Sequence, residues 1–128
     1  MKYTGFISEI DDYAFAKSLK GYYLGTSLVN ANRESIITYL KSGTLCVPFM
    51  GVAEDEDETV MGKISVLTDG EWFWPDYLAS FIKKYPNFRI DPEFERHVLK
   101  NQGRKIQVEE TAIAALEKEF LTKARFTQ

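Results

Sequence analysis

Apolar residues recur at two different periods along this 128-residue chain, and the changes of period mark out its elements. From Ser8, the near-helical spacing of Ile10, Tyr13, Ala14 and Leu19 predicts a helix that ends by Gly21. Asp11 and Asp12 would sit in its first turn, the favourable end of the helix dipole for carboxylates. Tyr22 to Thr26 reads as a connection. Asn30 or Asn32 can cap a second helix that carries Ile36, Ile37 and Leu40 and stops at Gly43.

The period then drops to two. Thr44 to Val52 predicts a strand with Leu45, Val47 and Phe49 on one face. Pro48 has no N–H for a ladder, so this strand belongs at a sheet edge or is bulged there. Residues 54–58 contain no apolar side chain and read as a solvated hairpin loop. Thr59 to Leu67 is the next strand, with Ile64 and Val66 on its buried face. Asp69-Gly70 is a tight-turn dipeptide that leads into a third short strand, Glu71 to Trp74. Pro75 is expected to end that strand and open a helix, because its ring presets a helical φ and its missing N–H is not needed at a first helical position.

Beyond Pro75 the period returns to 3.6. Leu78, Phe81, Ile82 and Tyr85 form one apolar stripe that Pro86 closes. Asp91-Pro92 is a capping residue followed by a first-position proline, and the helix it starts carries Phe94, Val98 and Leu99 until Gly103. Residues 108–123 predict a last helix, with Ala112, Ile113, Leu116 and Phe120 inward and Glu119 and Lys123 paired outward. Strands in the middle, flanked by helices, predict an α+β fold: an antiparallel meander of three or more strands packed by N-terminal and C-terminal helices. With no internal repeat or linker, residues 1–128 read as one domain.

Composition adds little until charge is mapped. The net charge of −3 excludes a chain-wide basic footprint for nucleic acid. Residues 1–70 hold 6 Lys/Arg against 10 Asp/Glu, and residues 71–128 hold 10 against 9, so the acidity is concentrated in the first half. Its main source is one block, Glu54-Asp55-Glu56-Asp57-Glu58. The one cysteine, Cys46, allows no internal disulfide. No run approaches the roughly 18 apolar residues of a membrane span, and the N-terminus lacks the apolar stretch of a signal peptide. The expected location is therefore the cytoplasm, with no membrane partner.

Candidate chemistry is sparse. Trp72 and Trp74 share one strand face, with Glu71 and Phe73 on the other. Such a pair reads first as core under the helix that follows. Large aromatics on both faces are harder to bury together, which leaves one of Trp72, Phe73 or Trp74 for surface contact beside Glu71 as a polar anchor. Residues 54–58 read as a solvated loop or as a patch that steers a basic partner. His97, the single histidine, falls at the border of an apolar stripe and reads as structural or surface. Cys46 reads as a small buried hydrophobe. Glu71 and Asp76 could form an acid–base pair, although their spacing is a weak signal. No phosphate loop, calcium loop or His/Cys metal pattern is present, and no cofactor is implied.

The octapeptide Thr68-Asp69-Gly70-Glu71-Trp72-Phe73-Trp74-Pro75, followed by Tyr77-Leu78, Tyr85 and Asp91-Pro92-Glu93-Phe94, resembles a family of small, uncharacterised bacterial proteins with a TDGEWxWP motif. The likeness covers about 30 residues and designates no catalytic residue. Proteins of this kind are similar to immunity proteins encoded beside polymorphic or contact-dependent toxins. The resemblance implies a non-enzymatic module that binds and neutralises a toxin domain. Glu54, Asp55, Glu56, Asp57 and Glu58 would then steer a basic partner, and Glu71, Trp72, Phe73 and Trp74 would supply contact. The alternative is a small-ligand or enzymatic groove around Trp72, Trp74 and Glu71. A homodimer through the Pro48 edge is a further expectation.

Overall fold

A computed structural model describes residues 1–24 and 29–126. It is an α+β fold built around a four-stranded sheet with the order β1-β6-β5-β2. The strands are β1 (Lys2–Tyr3), β2 (Thr44–Val47), β5 (Val66–Thr68) and β6 (Trp72–Pro75). The Asp69-Gly70 turn joins β5 to β6 as an antiparallel hairpin in which Leu67 faces Trp74 and Thr68 faces Phe73. β2 runs antiparallel to β5 at the sheet's outer edge, and a register shift lies between Leu45 and Val47, just before Pro48. The edge and the irregularity expected of Pro48 are both present. β1 pairs parallel to β6, so the sheet is mixed. Sequence periodicity gave no sign of this two-residue strand, because it lacks room to express a period.

The predicted meander is broken in the middle. Thr44–Val52 is not one strand, nor is Thr59–Leu67. Between β2 and β5 the chain leaves the sheet to form a separate two-stranded hairpin, β3 (Val52–Glu54) with β4 (Val60–Lys63). Ser65 makes the break: its hydroxyl accepts from the Phe49 amide and donates to the Phe49 carbonyl, which satisfies backbone groups that a continuous strand would have paired. Pro75 also departs from expectation. It is the last residue of β6, opposite Val66, and the next helix begins three residues later. Its missing N–H costs nothing there, as the ladder ends at this pair and the Asp76 amide bonds the Ser65 carbonyl.

Helices α2 (Arg33–Lys41), α3 (Leu78–Lys84) and α4 (Pro92–Lys100) follow the stripes, except that Leu99 is exposed. Asn30 rather than Asn32 supplies the side-chain oxygen at the start of α2, accepting from the Asn32 amide. Asp91 caps α4 by accepting from Glu93. Gly43 does not serve as a left-handed stop. It is needed because a Cβ there would lie 2.4 Å from the Trp74 ring. The last helix, α5 (Glu110–Phe126), buries Phe120 and Ala124, whereas Ala112 is exposed.

No helix forms over residues 8–17. The segment is a tight loop closed by a bridge between Ile7 and Lys17, and the short α1 (Leu19–Tyr23) follows, capped by Ser18. Polar bonding outside a helix wins here: Glu9 accepts the nearby Leu19 amide, and the buried Asp11 accepts the hydroxyl of the distant Tyr77 at 2.7 Å. The loop also seats Tyr13 and Phe15 against Phe6 and Phe120, with ring centroids 5.1–5.9 Å apart. The connection expected over 22–26 is helical through Tyr23, and Gly25 and Thr26 lie outside the described residues.

Both sheet faces are covered. Trp72 and Trp74 pack with Tyr39 and Phe94 against α2, α3 and α4, and the Trp74 indole donates to the Leu40 carbonyl. Phe73, Val66 and Val47 pack on the opposite face against Phe6 and Phe120. Among the described residues no helix is long and apolar enough to cross a membrane.

Candidate functional site

The two-face packing settles the aromatic segment. Trp72, Phe73 and Trp74 are 3, 0 and 0% exposed, so the expectation that one of them reaches the surface is corrected. The sheet is sandwiched, and a strand with aromatics on both faces is core throughout. Glu71 alone of the four is exposed. It does not pair with Asp76, which lies beyond the other end of β6 and accepts the Lys63 amide. The groove expected around Trp72, Trp74 and Glu71 is present only in part: Glu71 and Trp72 line an open cavity of about 340 Å3 with Met1, Lys2 and Gly70, and Trp74 is fully buried.

The acidic block lies where the sequence places it, at the tip of a hairpin, but it is not uniformly solvated. Asp55 is buried, with its side chain 1% exposed. Lys84, in the last turn of α3, reaches both Asp55 at 2.6 Å and Asp57 at 2.7 Å, and the Tyr85 hydroxyl donates to Asp55 at 2.6 Å. Burial works to raise the Asp55 carboxyl. Hydrogen bonds from Lys84, Tyr85 and the Glu56 amide outweigh it and hold the group below the ordinary range. Lys84 is held above its ordinary value by the same two carboxylates. Burial and the Asp55 contact push Tyr85 up to about 12. Tyr85 also stacks on Tyr23, with ring centroids 5.1 Å apart.

The hairpin is thus anchored from one side. Asp55 and Asp57 are committed to Lys84, and Glu58 takes a positive φ of 68° in the turn. Glu54, Glu56 and Glu58 are exposed, and none of the ion pairs among the described residues involves them. Strand alternation puts Ala53 and Asp55 on the inward side and Val52 and Glu54 on the outward side. That alternation was the available signal for a buried Asp55. The role of Lys84 had none, because α3 and the hairpin meet only in space.

A second polar cluster went unanticipated. Asp69, 3% exposed at its side chain, caps its own turn by accepting the Glu71 and Trp72 amides, each at 2.9 Å. Its other oxygen takes the Tyr39 hydroxyl and His97 Nε2, both at 2.6 Å. Burial acts to raise the carboxyl, and these four donors together hold it below the ordinary range. Burial and the Asp69 contact push the Tyr39 phenol far up, so it stays protonated. His97 Nδ1 lies 3.3 Å from Glu71 Oε2. The cluster joins α2, α4 and the β5–β6 turn, and it borders a cavity of about 190 Å3 with Arg104 and Lys105 on its wall. Cys46 is buried, and desolvation raises its thiol to about 11, as suits a packing residue. Among the described residues no group of three or more His, Cys, Asp or Glu is placed to hold a metal ion.

The chain matches no protein-family model, no curated protein and no solved structure.

Proposed function

We propose that this chain is a non-enzymatic protein-binding module of the cytoplasm, an immunity-like protein that binds and neutralises a basic toxin domain. One observation carries the reading: the β3–β4 hairpin holds Glu54, Glu56 and Glu58 exposed, and without ion-pair partners among the described residues, on a backbone fastened by Lys84 and Tyr85. A fastened cluster of like charges lowers the ordering cost of association and steers a cationic surface toward it. The octapeptide resemblance to immunity-like proteins supports the same class.

The test starts from whatever the full chain captures in its native cell. The captured protein is expected to be basic, to arrest growth when expressed alone, and to lose that effect when this chain is co-expressed. Changing Glu54, Glu56 and Glu58 together to Gln should slow association roughly three- to tenfold at low salt and much less at high salt. An acidic partner, or an association rate indifferent to both the substitutions and the salt, refutes the reading.

A second reading, a small-ligand or enzymatic domain, draws on the Tyr39–Asp69–His97 cluster with Glu71 at its rim. One fact weighs against it: all four donors on Asp69 belong to the fold.

A further inference from the structure

The exposed apolar side chains are not scattered evenly. Leu45, Met50, Val52 and Val60 are 51, 98, 55 and 60% exposed, and all four lie on or beside the β2 edge and the outward face of the β3–β4 hairpin. A groove of about 580 Å3 opens there, lined by Leu45, Met50, Val52 and Leu67, with Lys63 and Asp76 among its polar groups. Val52 and Glu54 share the hairpin's outward face by alternation, and Glu54 stands opposite Val60 in the ladder. Glu54 therefore stands next to the groove's apolar wall at Val52, and Glu56 and Glu58 follow it at the hairpin tip. Met50 sits in the connection between β2 and β3, where no described residue covers it.

We infer that this groove docks a protein segment that carries a large apolar side chain flanked by Lys or Arg. The inference rests on the binding reading above and names the partner's chemistry. The apolar side chain would enter between Leu45, Met50 and Val52, and the flanking cations would meet Glu54, Glu56 and Glu58. Charge decides among occupants. Phosphates of nucleic acid or anionic lipid would meet three carboxylates that make no ion pair among the described residues, against one cation, Lys63, lining the groove. A two-fold contact between copies would set one acidic tip against another, because such an interface joins the same patch on both subunits. Strand addition to β2 is opposed by the bulge and by Pro48, which blunt that edge. The two halves divide the kinetics: carboxylates at the rim govern encounter, and the buried apolar contact governs residence time.

The test is a selection of short random peptides displayed on phage against the immobilised full chain at low salt. Enriched peptides should place Lys or Arg within a few positions of Trp, Phe, Leu or Met. A synthetic copy of the best peptide should dissociate about tenfold faster from M50S and from L45S, two exposed positions whose variants should keep the circular dichroism of the natural chain. Its association should slow instead on the variant with Gln at 54, 56 and 58. Unchanged dissociation from M50S and L45S overturns the groove while leaving the acidic hairpin standing. Unchanged association to the Gln variant sinks the electrostatic reading and leaves the groove. Enrichment of acidic peptides, enrichment of none, or a dimer in analytical ultracentrifugation that M50S abolishes also overturns the inference.

Discussion

Replacing Asp69 by Ala should cost this fold about 3–5 kcal/mol at neutral pH. The carboxylate accepts four hydrogen bonds: Tyr39 hydroxyl and His97 Nε2 at 2.6 Å, and the Glu71 and Trp72 amides at 2.9 Å. A hydrogen bond to a charged group contributes about 1.5–3 kcal/mol, so simple addition would overshoot. The Glu71 amide is exposed and recovers water, and His97 is only partly buried. The Trp72 amide and the Tyr39 hydroxyl bear most of the loss, which yields the stated range. Asp69→Asn keeps one acceptor oxygen and should cost about half as much.

The pH dependence gives a sharper check. Asp69 is lowered from its ordinary value of 3.8. Its contribution is therefore fully present above that value and is lost as pH falls through the lower folded one. The gap in stability between the natural chain and Asp69→Asn should be widest at neutral pH and should narrow below 3.8. Urea unfolding followed by tryptophan emission reads this directly, as Trp72 and Trp74 are both buried. A loss under about 1 kcal/mol for Asp69→Ala would refute the reasoning, and so would a gap for Asp69→Asn that stays constant into acid.

Asp11 should behave in the opposite sense. Burial raises its carboxyl, so the fold loses stability as pH rises from 3.8 through the raised folded value, and Asp11→Asn should abolish that decline while keeping an acceptor for Tyr77. Gly43→Ala should destabilise by about 1–3 kcal/mol in the same urea assay, because the added Cβ meets the Trp74 ring at 2.4 Å and the ring has no free space to move into. Lys84→Met should leave the sheet intact yet speed amide exchange across residues 54–60, with Lys84→Arg restoring protection, since Asp55 loses the cation that holds it. Cys46 should resist alkylation at mildly alkaline pH until the chain unfolds, its thiol being both buried and raised to about 11.

The local order of this chain was written in near-neighbour chemistry. The Asp69-Gly70 hairpin, the Asp91-Pro92 start of α4 and the stripe of Leu78, Phe81 and Ile82 each follow from residues that touch within one turn or one strand pair. The α+β class follows from the order of those elements. Tertiary contact decided the remainder. Residues 8–17 carry a helix-like spacing, but Asp11 bonds to Tyr77, and Tyr13 and Phe15 join the rings of the nearby Phe6 and of Phe120, Tyr77 and Phe120 being distant in the chain. The break between Lys63 and Val66 depends on Ser65 meeting Phe49, and β1 exists only because β6 offers it an edge. Both polar clusters are of this kind. Asp55 meets Lys84 and Asp69 meets His97 across 29 and 28 positions of sequence, and neither partner carries a periodicity or motif that names the other. Periodicity reports which face of an element avoids water; which distant element covers that face, and which charge waits there, is set by three-dimensional packing.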